Sequence, residues 1–160
     1  MVPSTEELEA RMRPGGFSRV GFLGPDERLG GVLAADEQLL ETMGIGFEDS
    51  VAPLDRLLTA AERSPHRRVT VDGYTVLVDI KPGFQICPWA EDPHHGQCTA
   101  GQGVRHASVE WQVKNLKTGR ELRGPGLIVH LVRDHHFFQG HGSPLRVDPT
   151  ELAELFELAG

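Results

Sequence analysis

The chain reads as an α+β domain: N-terminal helices, a mostly antiparallel sheet of about five strands, and a C-terminal helix. Three observations predict this. Apolar residues recur at helical spacing before residue 64, β-branched residues alternate around glycine turns from Val69 onward, and Asp148-Pro149 opens a final amphipathic stretch. One domain is expected over 1–160, with a helical part at 1–64, a sheet and its long loop at 65–147, and a closing helix at 148–160.

Ser4 with Glu7 makes a capping box, Leu8 and Met12 lie one turn apart behind it, and Pro14-Gly15-Gly16 stops the helix. Pro25 suits the first turn of a second helix, in which Leu29, Val32, Leu33, Leu40 and Met43 form the apolar stripe and Gly44 the left-handed cap. Asp49 or Ser50 caps a third, with Pro53 in its first turn, Leu54, Leu57, Leu58 and Ala61 on its inner face, and Ser64-Pro65 as its stop. The second and third helices can be drawn as a helix-turn-helix. Their outer faces are acidic, however, with Asp26, Glu27, Asp36, Glu37, Glu41, Glu48 and Asp55 outnumbering Arg28, Arg56 and Arg63, so a core-forming pair is expected.

Asp72-Gly73 between Val69, Val71 and Tyr74, Val76, Val78, Ile80 marks a β-hairpin. Val109, Trp111 and Val113 alternate with polar residues and lead through Gly119 to a partner strand at 120–123. Gly124-Pro125-Gly126 turns the chain again. The run from Leu127 to Val132, apolar except for His130, reads as a central strand covered on both faces. Asp148 caps the last helix, with Pro149 at its first position, Glu151 completing the box, and Leu152, Leu155 and Phe156 docking it.

At 160 residues, 39% hydrophobic and 24% charged, the chain is long enough to bury a core. A formal charge of −7 argues against nucleic acid, whose binders need clustered Lys and Arg. No run is long enough to span a membrane and the acidic N-terminus does not resemble a signal peptide, so a cytoplasmic protein with reduced thiols is expected. In an oxidising compartment, a Cys87–Cys98 disulfide is the competing expectation, contributing about 3 kcal/mol in the chain-entropy model.

The chemistry concentrates between Cys87 and His141, which hold both cysteines and seven of the eight histidines. The polar stretch from Ile86 to Gly103 is too long for a turn and needs something to order it. His130 sits in an apolar run, where a bare imidazole costs a few kcal/mol. Together these point to one Zn2+ site with Cys87, Cys98, His130 and His135 as ligands, two thiolates and two neutral imidazoles cancelling the ion's charge. The His-x4-His spacing lets the two rings converge if a strand bends after the first. Ten residues separate the cysteines, far more than in a zinc knuckle. Alternative donors are His94, His95, His106, Asp134, His136 and His141, with Asp134 also a natural acceptor behind a ligating histidine. Such a centre has to bring the sulfur of Cys87 within about 8 Å of the His130 ring, given ligand bonds of about 2.0–2.3 Å.

Two functions follow. In the first, the metal is structural and the domain serves as a protein-interaction module, its acidic helical third being the distinctive surface. In the second, three ligands and a water make a metal-dependent hydrolase, with Glu91, Asp92 or Glu110 as base. Neither the HExxH pattern nor the zinc-deaminase pattern is present, and Gly101-Gln102-Gly103 and Gly140-His141-Gly142 lack the context of phosphate loops. A thiol enzyme using Cys87 or Cys98 is a third class, without a visible activating neighbour.

Overall fold

The computed structural model describes residues 3–81 and 85–158. Five helices and four strands occur among them: α1 (Thr5–Met12), α2 (Leu29–Met43), α3 (Phe47–Arg63), β1 (Arg68–Val71), β2 (Tyr74–Ile80), β3 (Val109–Asn115), β4 (Glu121–Pro125), α4 (Ile128–His135) and α5 (Pro149–Leu155). The strands form an antiparallel meander in the order β1-β2-β3-β4. The α+β class holds, with four strands where about five were expected.

Local signals account for most element ends. The Ser4 hydroxyl accepts from the Glu7 N–H at the start of α1, and Gly44 (φ 70) ends α2 in the left-handed conformation. Asp72 (φ 53) and Gly73 (φ 83) supply the two positive φ angles that a tight type I′ hairpin demands. The Asp148 carboxylate accepts from the N–H groups of Thr150 and Glu151, with Pro149 at the first helical position.

Two helix starts differ from expectation. α2 begins at Leu29, not Pro25, because its first free N–H is taken by the Glu9 carboxylate of α1 at 2.8 Å, a cap arriving from another element. α3 begins at Phe47 with Gly46 as its cap, so Glu48 and Asp49 lie in the first turn, where the helix dipole favours them. Ser50 then lies inside the helix and donates to the Phe47 carbonyl, and Pro53 falls in the interior.

The larger correction concerns the run after Gly126. Residues 128–135 are helical, not a central strand. The reason lies in the burial on both sides of α4. Ile128, Val129 and Val132 join the main core with Leu54, Leu58, Val76, Trp111 and Val113, while Leu127 and Leu131 join a second core with Met12, Phe22, Cys87, Cys98 and Phe137. A helix covered on two sides has the same continuous apolar run as a covered strand. α3 packs across β1 and β2 and along α4, so the main core lies between helices and sheet.

The second core is closed by Glu27, whose carboxylate accepts from the N–H groups of Gly24 (2.7 Å), His141 (2.9 Å) and Gly142 (2.8 Å). Gly142 has no alternative there, since a Cβ would lie 2.7 Å from the Gly24 Cα. No helix among the described residues is long and apolar enough to cross a membrane.

Burial pushes the Glu27 carboxyl up, but the three backbone bonds outweigh it and hold its pKa below the ordinary value. A depressed folded pKa means stability that is present above the unfolded carboxylate range and lost as pH falls through the folded value. Glu27→Gln is therefore expected to lower stability by about 1–2 kcal/mol at pH 7. In urea titrations, the gap between variant and wild type should close as pH drops below about 4.

Candidate metal centre

The loop that follows β2 brings the two sulfurs in. Its two arms are zipped by Gln97, whose carbonyl oxygen accepts from the Cys87 N–H at 3.0 Å while its amide donates to the Gln85 carbonyl. Arg11 of α1 donates to the carbonyls of Pro88 (2.7 Å) and Ala90 (2.8 Å), and a turn closes from the Ala90 N–H to the Cys87 carbonyl. Both cysteines are buried and neither is in a disulfide.

The two imidazoles come from α4. His130 lies in its first half and His135 is its last residue, followed by His136 in the left-handed conformation (φ 59). No bend of a strand is involved. The rings meet edge to face with centroids 4.9 Å apart. Trp89 stacks on His135 at 4.2 Å, and Phe137 meets the indole edge-on. The His135 ring is thus fixed by the same loop turn that presents Cys87.

The four expected residues converge. One donor atom from each of Cys87, Cys98, His130 and His135 lies within 4.8 Å of all the others, well inside the limit set by the sequence, and the Cys98 sulfur is 3.4 Å from His135 Nε2. The four side chains can hold a metal ion.

His130 supplies the decisive detail. Its Nδ1 faces two acceptors, the Gly103 carbonyl at 3.0 Å and the Asp134 carboxylate at 2.8 Å. An imidazole nitrogen between two acceptors must carry the proton, which leaves Nε2 with a bare lone pair in the neutral ring. That Nε2 is buried and has no hydrogen-bond partner. A buried acceptor without a donor costs about 1–3 kcal/mol, and a cation at the centre removes that cost. Asp134 stands where an acceptor behind a ligating histidine would stand, and its other oxygen accepts from the Gln102 N–H at 3.3 Å. Gly101 is required beside it: φ is +55, and a Cβ would sit 1.9 Å from the Asp134 oxygen.

The chain matches no family model, no curated protein and no solved structure.

Protonation states fit cation binding in part. Burial, followed by repulsion from His130, drives the pKa of His135 down to about 4, so its ring is neutral and ready to ligate. Burial also lowers the pKa of His130, against the pull of Asp134. Burial and the neighbouring Cys98 push the Cys87 thiol well up, so a cation has to displace its proton.

The other candidates lie elsewhere. His94 and His141 are exposed, and His95 pairs with Asp92 at 2.8 Å. His136 stacks on Phe47 of α3 at 4.0 Å. Glu110 is on the sheet, 3.7 Å from Lys81. His106, with φ 59, is gripped by two carboxylates of α3, Asp55 at 2.8 Å and Glu62. Arg133 of α4 reaches the same Asp55 at 3.1 Å and also pairs with Glu48. This network ties the loop's far end, α3 and α4 into one unit, and burial's upward push on Asp55 is more than offset by the His106 and Arg133 bonds. Only the pairing of three sequence-distant segments creates it, so no local motif announces it. Next to the cluster a cavity of about 380 Å³ opens, lined by Trp89, Asp92, His95, Cys98, Thr99 and His135.

Asp134→Ala is expected to weaken metal affinity by about 10- to 100-fold, because it removes the carboxylate that accepts from His130 Nδ1. Competition against a chromophoric chelator measures this directly. Unchanged affinity would show that Asp134 does not orient the ligand.

Proposed function

We propose that this chain is a small zinc-binding domain whose Cys87, Cys98, His130 and His135 site is structural. The buried, unpartnered Nε2 of His130 carries this reading, since it is an acceptor held bare by its own hydrogen bonds beside two sulfurs and a second imidazole. Two thiolates and two neutral imidazoles in a tetrahedral set suit Zn2+ in both softness and charge. Zn2+ bound there would be partly sealed from water, with its charge cancelled by its ligands.

A structural ion contributes its binding energy to folding. Here it would join the loop at 85–108 to α4. The second core, to which both cysteines belong, would then depend on the ion. With four protein donors no position is left for a reacting water, which weighs against the hydrolase reading. The role of the domain would then lie on its surface, as a protein-interaction module, and reduced thiols suit the cytoplasm.

The protein purified in the presence of zinc is expected to carry one zinc per chain by elemental analysis. Chelation should lower the melting temperature by more than about 10 °C, given that several kcal/mol are lost. His130→Ala should bind no stoichiometric zinc and melt like the chelated wild type. A melt unaffected by chelation would contradict a structural role.

A further inference from the structure

The two sulfurs differ in what they face. Cys98 forms part of the wall of the 380 Å³ cavity, beside His135 and Trp89, whereas Cys87 does not line it. Cys87 is fully buried in the second core, its N–H held by Gln97. The cavity is roomy for a small solute, being many times the volume of about 30 Å³ that a water occupies in the liquid. Its wall is mainly apolar, with the Asp92–His95 pair as a polar spot, and it admits a small uncharged molecule. A ligating cysteine is a thiolate, the nucleophilic form of sulfur.

We propose that Cys98 is an oxidation site, a thiolate reached through this cavity by hydrogen peroxide, which modifies it ahead of Cys87 and converts the pair to a disulfide with loss of the metal. This rests on the zinc reading above. The Cys98 sulfur attacks one peroxide oxygen, the O–O bond breaks, and Cys98 becomes a sulfenic acid as hydroxide leaves. The Cys87 sulfur then attacks the Cys98 sulfur, forming the S–S bond and expelling the second hydroxide. Both hydroxides leave to the solvent, where buffer acid protonates them to water. The two sulfurs together lose two electrons, the peroxide gains them, and the metal leaves as the divalent ion it was. The two sulfurs lie within 4.8 Å of each other, so the second step is near at hand and halts oxidation at a reversible stage.

The loop at 85–108 keeps its other ties, Arg11 to Pro88 and Ala90 and His106 to Asp55, so the oxidised chain would loosen around His130 and His135 first.

The test uses the full chain loaded with zinc and assayed for zinc before any oxidant is added. Peroxide is then titrated while a chromophoric chelator reports released zinc and mass spectrometry reports the protein. One zinc released per disulfide is expected, with a mass about 2 Da below the dithiol form. Brief treatment with limiting N-ethylmaleimide, followed by fragment-ion mapping, should label Cys98 several-fold ahead of Cys87. Thr99→Trp, which fills the cavity without replacing a ligand, should keep its zinc and slow the release severalfold. Absence of zinc before peroxide would overturn the zinc reading and this proposal with it. Stoichiometric zinc with equal labelling, with labelling of Cys87 first, with release unaffected by Thr99→Trp, or with zinc retained under peroxide would overturn this proposal alone.

Discussion

A single hydrogen-bonding constraint governs the site: the His130 Nδ1 proton is claimed by Gly103 and Asp134, so the opposite nitrogen faces the two sulfurs bare. The surrounding structure serves that arrangement. Gly101 lacks a side chain because Asp134 occupies the space, Gln97 holds the two arms of the loop in register, and Trp89 fixes the second imidazole by stacking. Each of these contacts orders a loop whose described residues form no strand or helix between β2 and β3. Ordering backbone costs roughly 1–2 kcal/mol per residue in conformational entropy, more than a few side-chain bonds return. A bound cation would supply the missing term in one step.

The position of α4 makes this possible. It lies between two cores, presenting Ile128, Val129 and Val132 to the sheet and α3, and Leu127 and Leu131 to the loop, α1 and Phe22. His130 and His135 therefore come from a rigid element gripped from both sides, and Arg133 bolts it to α3 through Asp55 and Glu48. A metal bound here would join the loop at 85–108 to a helix packed on two sides. Such an ion in a zinc-finger peptide contributes on the order of 10–16 kcal/mol, comparable to the whole stability of a typical domain.

What could be read from residues alone divides by range. The Ser4 and Asp148 caps, the Gly44 stop and the Asp72-Gly73 hairpin are set by neighbours within a few positions, and they stand where the sequence places them. The start of α2 does not, because Glu9 reaches it from another helix. The His130 run was legible as buried but not as helical, since burial on both sides erases the periodicity that separates the two states. The four donors were legible because both cysteines and most of the histidines fall in one stretch, and an imidazole is costly in an apolar run. Their convergence has a different cause from the expected bend: the two imidazoles share one helix and approach edge to face. The Asp55, His106 and Glu62 contacts and the cavity beside Cys98 were invisible, being made by segments distant in sequence.

Two sulfurs and two ring nitrogens on one cation have a distinct signature in X-ray absorption at the zinc edge of the loaded protein. A four-coordinate first shell is expected, with two sulfurs at about 2.3 Å and two nitrogens at about 2.0–2.1 Å. A shell made mainly of oxygen, or one containing fewer than two sulfurs, would contradict it.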